Sequence, residues 1–177
     1  VPYMFTDFYN DWTGRPGGDL PWMSEEEARA RYGKSVVIAV DAASVGPDGI
    51  PQPRWLVAVS RGAIVEFLDE HRRTWRRIDW EPVDGRWFRQ YVADYFYPTD
   101  DRHYRVSEAE LKVEARARPD GTAYLTVLDR AAGQRSETEF HDVDVSTFWA
   151  DPPAFDEWEP FTDPGDAASH LSQDWIA

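Results

Sequence analysis

A chain of 177 residues that is 42% hydrophobic and 15% aromatic is long enough for one domain with a substantial core and too short for two of ordinary size, so a single globular domain over residues 1–177 is expected. A net charge of −14 opposes approach to nucleic acid, and the lack of cysteine excludes a disulfide framework and a thiolate zinc site. The longest apolar runs are strand-length, and the opening Val1-Pro2-Tyr3-Met4-Phe5-Thr6-Asp7 lacks the basic start and apolar stretch of a secretory signal, so no membrane association and a cytoplasmic location are expected.

In chain order, residues 1–22 mix aromatic side chains with the loop Gly14-Arg15-Pro16-Gly17-Gly18 and read as an arm docked by its rings. Ser24-Glu25-Glu26-Glu27 is a capping-box pattern that predicts a short helix through Tyr32, with Gly33 just beyond its end. Ser35 to Ala43 reads as a buried strand. Trp55 to Ser60 and Ala63 to Leu68, split by Arg61-Gly62, read as a tight hairpin, and Thr74 to Trp80 as a fourth strand, giving a first antiparallel meander.

Trp87, Phe88, Tyr91, Val92, Tyr95 and Phe96 recur at helical spacing, which predicts a helix capped by Asp84 and ended by Pro98. Ala109 to Ala117 alternates apolar and charged residues and is the clearest strand. The turn Pro119-Asp120-Gly121 leads to a strand over Thr122–Leu128, and Ala131-Ala132-Gly133 to another from Arg135 to about Val145, a second meander. The prolines of Asp151-Pro152-Pro153, Glu159-Pro160 and Asp163-Pro164-Gly165 then predict an irregular surface wrap, with a helical turn near Ala167 to Leu171. The expected class is α+β: mainly antiparallel sheet in two meanders, a few helices and an acidic C-terminal wrap.

The charge is concentrated late. Residues 1–60 hold eight acids against five bases, whereas residues 119–177 hold thirteen against two. From Ser136 onward there are eleven carboxylates and no Lys or Arg, interleaved with Phe140, Phe148, Trp149, Phe155, Trp158, Phe161 and Trp175. A merely solvating acidic tail would be poor in aromatics, so this segment is expected to pack down and present a negative face. At protein interfaces large rings anchor and charges steer, which makes Asp151, Asp156, Glu157, Trp158, Glu159, Phe161 and Asp163 the candidate partner-binding residues.

Motifs for catalysis are missing: there is no nucleophile elbow, phosphate loop, dinucleotide glycine fingerprint or zinc-protease helix. His71, His103 and His170 sit in turn-like or terminal contexts. His141-Asp142-Val143-Asp144 has metal-ligand residue types, but on a strand the imidazole points away from both carboxylates. The run Arg72, Arg73, Arg76, Arg77 with Trp75 and Trp80 has the composition of a small nucleic-acid patch, yet such arginines also pair with neighbouring acids. No cofactor, metal or catalytic residue is therefore expected.

A cysteine-free, strongly acidic α+β domain of this size, arginine-rich and lysine-poor, with the Ser136–Ala177 segment, the two expected meanders and the expected Trp87–Phe96 helix, resembles the immunity proteins of secreted bacterial toxins. It resembles in particular those that neutralise actinobacterial necrotizing NAD-glycohydrolase toxins. The resemblance implies a non-enzymatic inhibitor that forms a heterodimer with a cognate toxin and occludes a basic active-site cleft. Two other readings stand beside it: a small Asp/Glu-dependent enzyme, with metal assistance through His141 as one form, and an acidic mimic of nucleic acid.

Overall fold

In the computed structural model, residues 3–10, 13–17, 21–41, 45 and 50–164 are described. The expected helical turn at 167–171 and Trp175 lie outside them. The chain begins with β1 (Tyr3–Thr6), a small ribbon of β2 (Tyr9–Asn10) and β3 (Arg15–Pro16), and the helix α1 (Glu25–Arg31). Ser24 caps α1 by accepting the Glu27 backbone N–H, whereas the Glu27 carboxylate turns forward to Arg31 at 2.5 Å. The helix thus has half of the expected capping box and an i,i+4 ion pair in place of the other half.

Strands β4 (Val37–Asp41), β5 (Trp55–Val59), β6 (Ala63–Leu68), β7 (Thr74–Val83), β8 (Arg86–Phe96), β9 (Leu111–Ala117), β10 (Ala123–Asp129) and β11 (Gln134–Phe140) follow as successive antiparallel neighbours. β1 adds to the free side of β4, with Phe5 opposite Ala39. The short strand β12 (Trp149–Ala150) pairs with Phe88 and Trp87 of β8. Among the described residues these ten strands form one continuous sheet, accompanied by the β2–β3 ribbon and one α-helix, so the class is mainly β, and the two expected meanders are joined into one.

The join is the segment expected to be a helix. Residues 86–96 form β8, for two reasons. Asp84 (φ 49°) and Gly85 (φ 84°) both occupy the left-handed region between the paired residues Val83 and Arg86, which is the two-residue hairpin turn that Asp-Gly favours. In addition, Asp79 pairs with Tyr91 and Trp80 with Arg89, so Gln90 is the extra residue of a bulge. The bulge resets the alternation, and Trp87 and Val92, five positions apart, enter the same core cluster. Phe88, Ala93 and Tyr95 pack in other clusters. A bulged strand buried on both sides therefore imitates helical spacing.

The inner face of the sheet carries Phe5, Val37, Ala39, Val57, Val59, Val65, Ile78 and Val92. Helix α1 covers part of it through Ala28, and the rings of Phe155, Trp158 and Phe161 complete the cover. At the far end of that face Arg76, fully buried, clamps Asp94 with two bonds of 2.6 and 2.8 Å and donates to the Pro164 carbonyl. On the outer face, Met4, Val40 and Leu56 pack beneath Tyr9 and Trp22. Gly62 in the β5–β6 turn has no room for a side chain, because a Cβ would lie 2.2 Å from the Trp80 carbonyl oxygen.

Trp158 is 0% exposed and fills the largest share of the late-arriving cover. Trp158→Ala is expected to destabilise the fold by about 3–5 kcal/mol, the usual cost of a large aromatic-to-alanine truncation, read as a lower denaturant midpoint with an unchanged slope.

Candidate functional site

After β12, Pro152 and Pro153 withhold backbone donors and end sheet pairing, so residues 151–164 follow the surface with only a short 3-10 turn over Glu159–Phe161. Their path is set by rings. Phe155 stacks on Phe5 at 5.2 Å, Trp158 meets Tyr32 edge-on at 5.6 Å, and Phe161 sits edge-on to both Trp80 and Trp87 at 5.2 and 5.5 Å. The Tyr32 hydroxyl adds a 2.7 Å bond to the Pro153 carbonyl.

Between these anchors Asp151, Asp156, Glu157, Glu159 and Asp163 are exposed. Asp151 lies 3.5 Å from Arg86, Asp156 lies 3.2 Å from Arg29, and Glu159 accepts the Tyr3 hydroxyl at 3.0 Å. Partial burial, then the bond to Glu159, pushes the Tyr3 phenol up to about 12. Asp156 holds φ at 74°, in the left-handed region. Trp158 and Phe161, expected among the partner-contacting residues, are 0% and 4% exposed. Their rings are committed to the core, which leaves the five carboxylates as the accessible members of the set.

The sheet brings together a second group that no stretch of sequence contains. On the outer face, β7 to β11 curve around an open cleft of about 840 Å³. Ion pairs between residues two apart line it on alternate strands. Arg77 and Asp79 on β7 bond at 2.7 and 2.9 Å, Lys112 and Glu114 on β9 are in contact, and Arg135 and Glu137 on β11 lie 3.1 Å apart. Tyr91 and Tyr95 on β8, with Tyr124 and Thr126 on β10, occupy the strands between.

Glu114 is the hub of the cleft floor, accepting the Tyr91 hydroxyl at 2.9 Å as well as the Lys112 ammonium. Burial alone would raise its pKa, but the Lys112 and Tyr91 hydrogen bonds and the charges of Lys112 and Arg116 outweigh it and hold the carboxyl below its ordinary range. Burial and the bond to Glu114 push the Tyr91 phenol up to about 12, so it remains a donor at neutral pH. The polar half of this cleft is visible in the sequence as the Lys112, Glu114 and Arg116 face of an alternating strand. Its aromatic half requires β8 to be a strand.

The other candidates from the sequence are dispersed. Arg73 bonds Asp69 and Asp100, Arg76 bonds Asp94, and Arg77 bonds Asp79, so these three members of the basic run are each matched by a carboxylate within the fold. His71 contacts the Asp100 carbonyl and His103 the His71 carbonyl, both on connecting loops. β11 ends at Phe140, so His141, Asp142 and Asp144 lie beyond the strand, with His141 3.7 Å from Glu139. His170 lies outside the described residues, among which no group of three or more His, Asp or Glu is placed to hold a metal.

Comparison with protein families, with curated proteins and with solved structures gives no match.

The raised Tyr91 pKa carries a pH signature. A phenol that ionises at about 12 in the fold and at 10.0 unperturbed favours folding below pH 10, and that contribution is lost between pH 10 and about 12. Tyr91→Phe should therefore show a shallower fall of denaturant midpoint across this window than the parent protein.

Proposed function

We propose that the protein is a non-enzymatic protein-binding domain of the immunity type, which inhibits a cognate toxin by laying an acidic wrap, residues 151–163, into a basic active-site cleft. The observation that carries this reading is the division within the segment: Phe155, Trp158 and Phe161 are buried, while Asp151, Asp156, Glu157, Glu159 and Asp163 between them are exposed. A negative surface held by core packing loses little conformational entropy when it binds, and it steers a cationic partner toward itself. A toxin that binds the pyrophosphate of NAD needs a cationic cleft, and carboxylates held in place can occupy that field without chemistry of their own. Occlusion also fits the narrowed contact set, because it asks the aromatic side chains only to hold the backbone and the acids to meet the partner.

Inhibition by occlusion is stoichiometric. Titrating a basic toxin domain encoded beside this protein should abolish NAD hydrolysis at a fixed molar ratio, with a heterodimer visible by light scattering. Loss of toxin activity at substoichiometric amounts would show turnover and overturn the proposal.

The wrap is tested separately. Neutralising Asp156, Glu157 and Glu159 together, as Asn, Gln and Gln, should slow association about tenfold and flatten its salt dependence. The variant's own stability should change by no more than about 1 kcal/mol, because these carboxylates interact with the rest of the fold only at its solvated surface. Unchanged association kinetics would remove the wrap from the interface.

A further inference from the structure

We propose that the cleft on the outer face of β7–β11 binds a short neutral oligosaccharide running across the strands. This site lies on the opposite face of the sheet from residues 151–163 and is independent of the toxin reading.

Size and shape come first. A cleft of about 840 Å³ falls within the usual range of small-molecule sites, about 300–1,000 Å³. Its polar groups repeat across the sheet in an order that suits a chain of rings. Ion pairs stand on β7, β9 and β11, so they recur about every 10 Å, twice the strand spacing. Tyrosines fill the alternate strands, Tyr91 and Tyr95 on β8 and Tyr124 on β10. Each ring of a saccharide chain carries both hydroxyl edges and apolar C–H faces, so a chain laid across the strands has a counterpart for either kind of group. Tyr95 is buried at 7% exposure, whereas Tyr91 and Tyr124 are partly exposed; their hydroxyls donate to Glu114 and Glu139 and cations lie near their faces, so a sugar ring would meet the remaining apolar surface of these two rings and could donate to their hydroxyl oxygens.

Charge then selects a neutral ligand. In a chain of net charge −14, the cleft lining holds five cationic and four anionic side chains, so its own field is nearly balanced. Each of the three carboxylates in the pairs already has a cation beside it, and a free ion would have to displace one partner. The pairs nevertheless keep hydrogen-bonding capacity. Arg77 directs two of its N–H groups to Asp79, and Arg135 one to Glu137, from about five on each guanidinium. A hydroxyl group both donates and accepts. It can therefore take an N–H from the cation and donate to a lone pair of the carboxylate in one pair, making two charge-assisted bonds without separating the charges. Glu114 is suited to this, because its carboxyl remains ionised and is held in place by Tyr91 and Lys112.

The test titrates the full chain with maltotetraose, cellotetraose and chitotetraose, and with inorganic phosphate and spermidine as ionic probes, following binding by calorimetry and amide chemical shifts. At least one tetrasaccharide should bind and shift resonances on β8 to β10. Its affinity should change less than about twofold between low and high salt, since no net charge is exchanged. Arg135→Ala and Tyr124→Ala, both outside the core, should each weaken binding about tenfold while leaving the melting temperature unchanged. The proposal is overturned if no tetrasaccharide shifts these resonances. It is also overturned if phosphate or spermidine takes the cleft with steep salt dependence, or if saccharide binding survives both substitutions.

Discussion

Covering the inner face of a long antiparallel sheet is the constraint on which the rest of this structure depends. Such a sheet is stable only if its apolar face is removed from water, and the one α-helix among the described residues is seven residues long. Helix α1 contributes Ala28, and Tyr32 at its C-terminal cap packs against the same cluster. A proline-broken segment without regular structure does the remaining work, using Phe155, Trp158 and Phe161. Rings suit this task because each removes a large apolar area from water with few rotatable bonds to restrict.

The same division shows where so acidic a chain places its charges. Three of the arginines in and beside the sheet are matched locally, Arg76 by Asp94, Arg77 by Asp79 and Arg73 by Asp69 and Asp100. The pair Arg76–Asp94 is buried, and there bidentate geometry offsets a desolvation cost that a single bond would not. The excess of negative charge is carried outward on the loops and on residues 151–163. The net charge is thus a property of selected surfaces, and the outer cleft on β7 to β11 is a nearly neutral enclave within it.

Much of the architecture is legible from the residues. The Ser24 cap, the Arg61-Gly62 hairpin and the alternation from Leu111 to Ala117 depend on neighbours in sequence, and each appears where its pattern places it. The segment from Trp87 to Phe96 reads as a helix and folds as a strand because its periodicity is a product of tertiary structure: a bulge at Gln90 and burial on both faces erase the alternation that marks a strand. The Asp84-Gly85 turn is the local clue to a hairpin. The candidate sites follow the same logic. The exposed carboxylates can be picked out by composition, whereas the burial of Trp158 and the meeting of Tyr91 with Glu114 depend on residues far apart in the chain.

The placement of the core's last cover also bears on how the chain is made. Synthesis runs from the N-terminus, and strands β4 to β11 are complete before Phe155, Trp158 and Phe161 have been added. Until those three side chains clear the ribosome tunnel, the growing polypeptide carries a nearly finished sheet with one apolar face only partly covered. A nascent chain in that condition is a natural client for a ribosome-associated chaperone. Pausing of translation before the codon for Phe155 would lengthen its exposure, and faster elongation would shorten it.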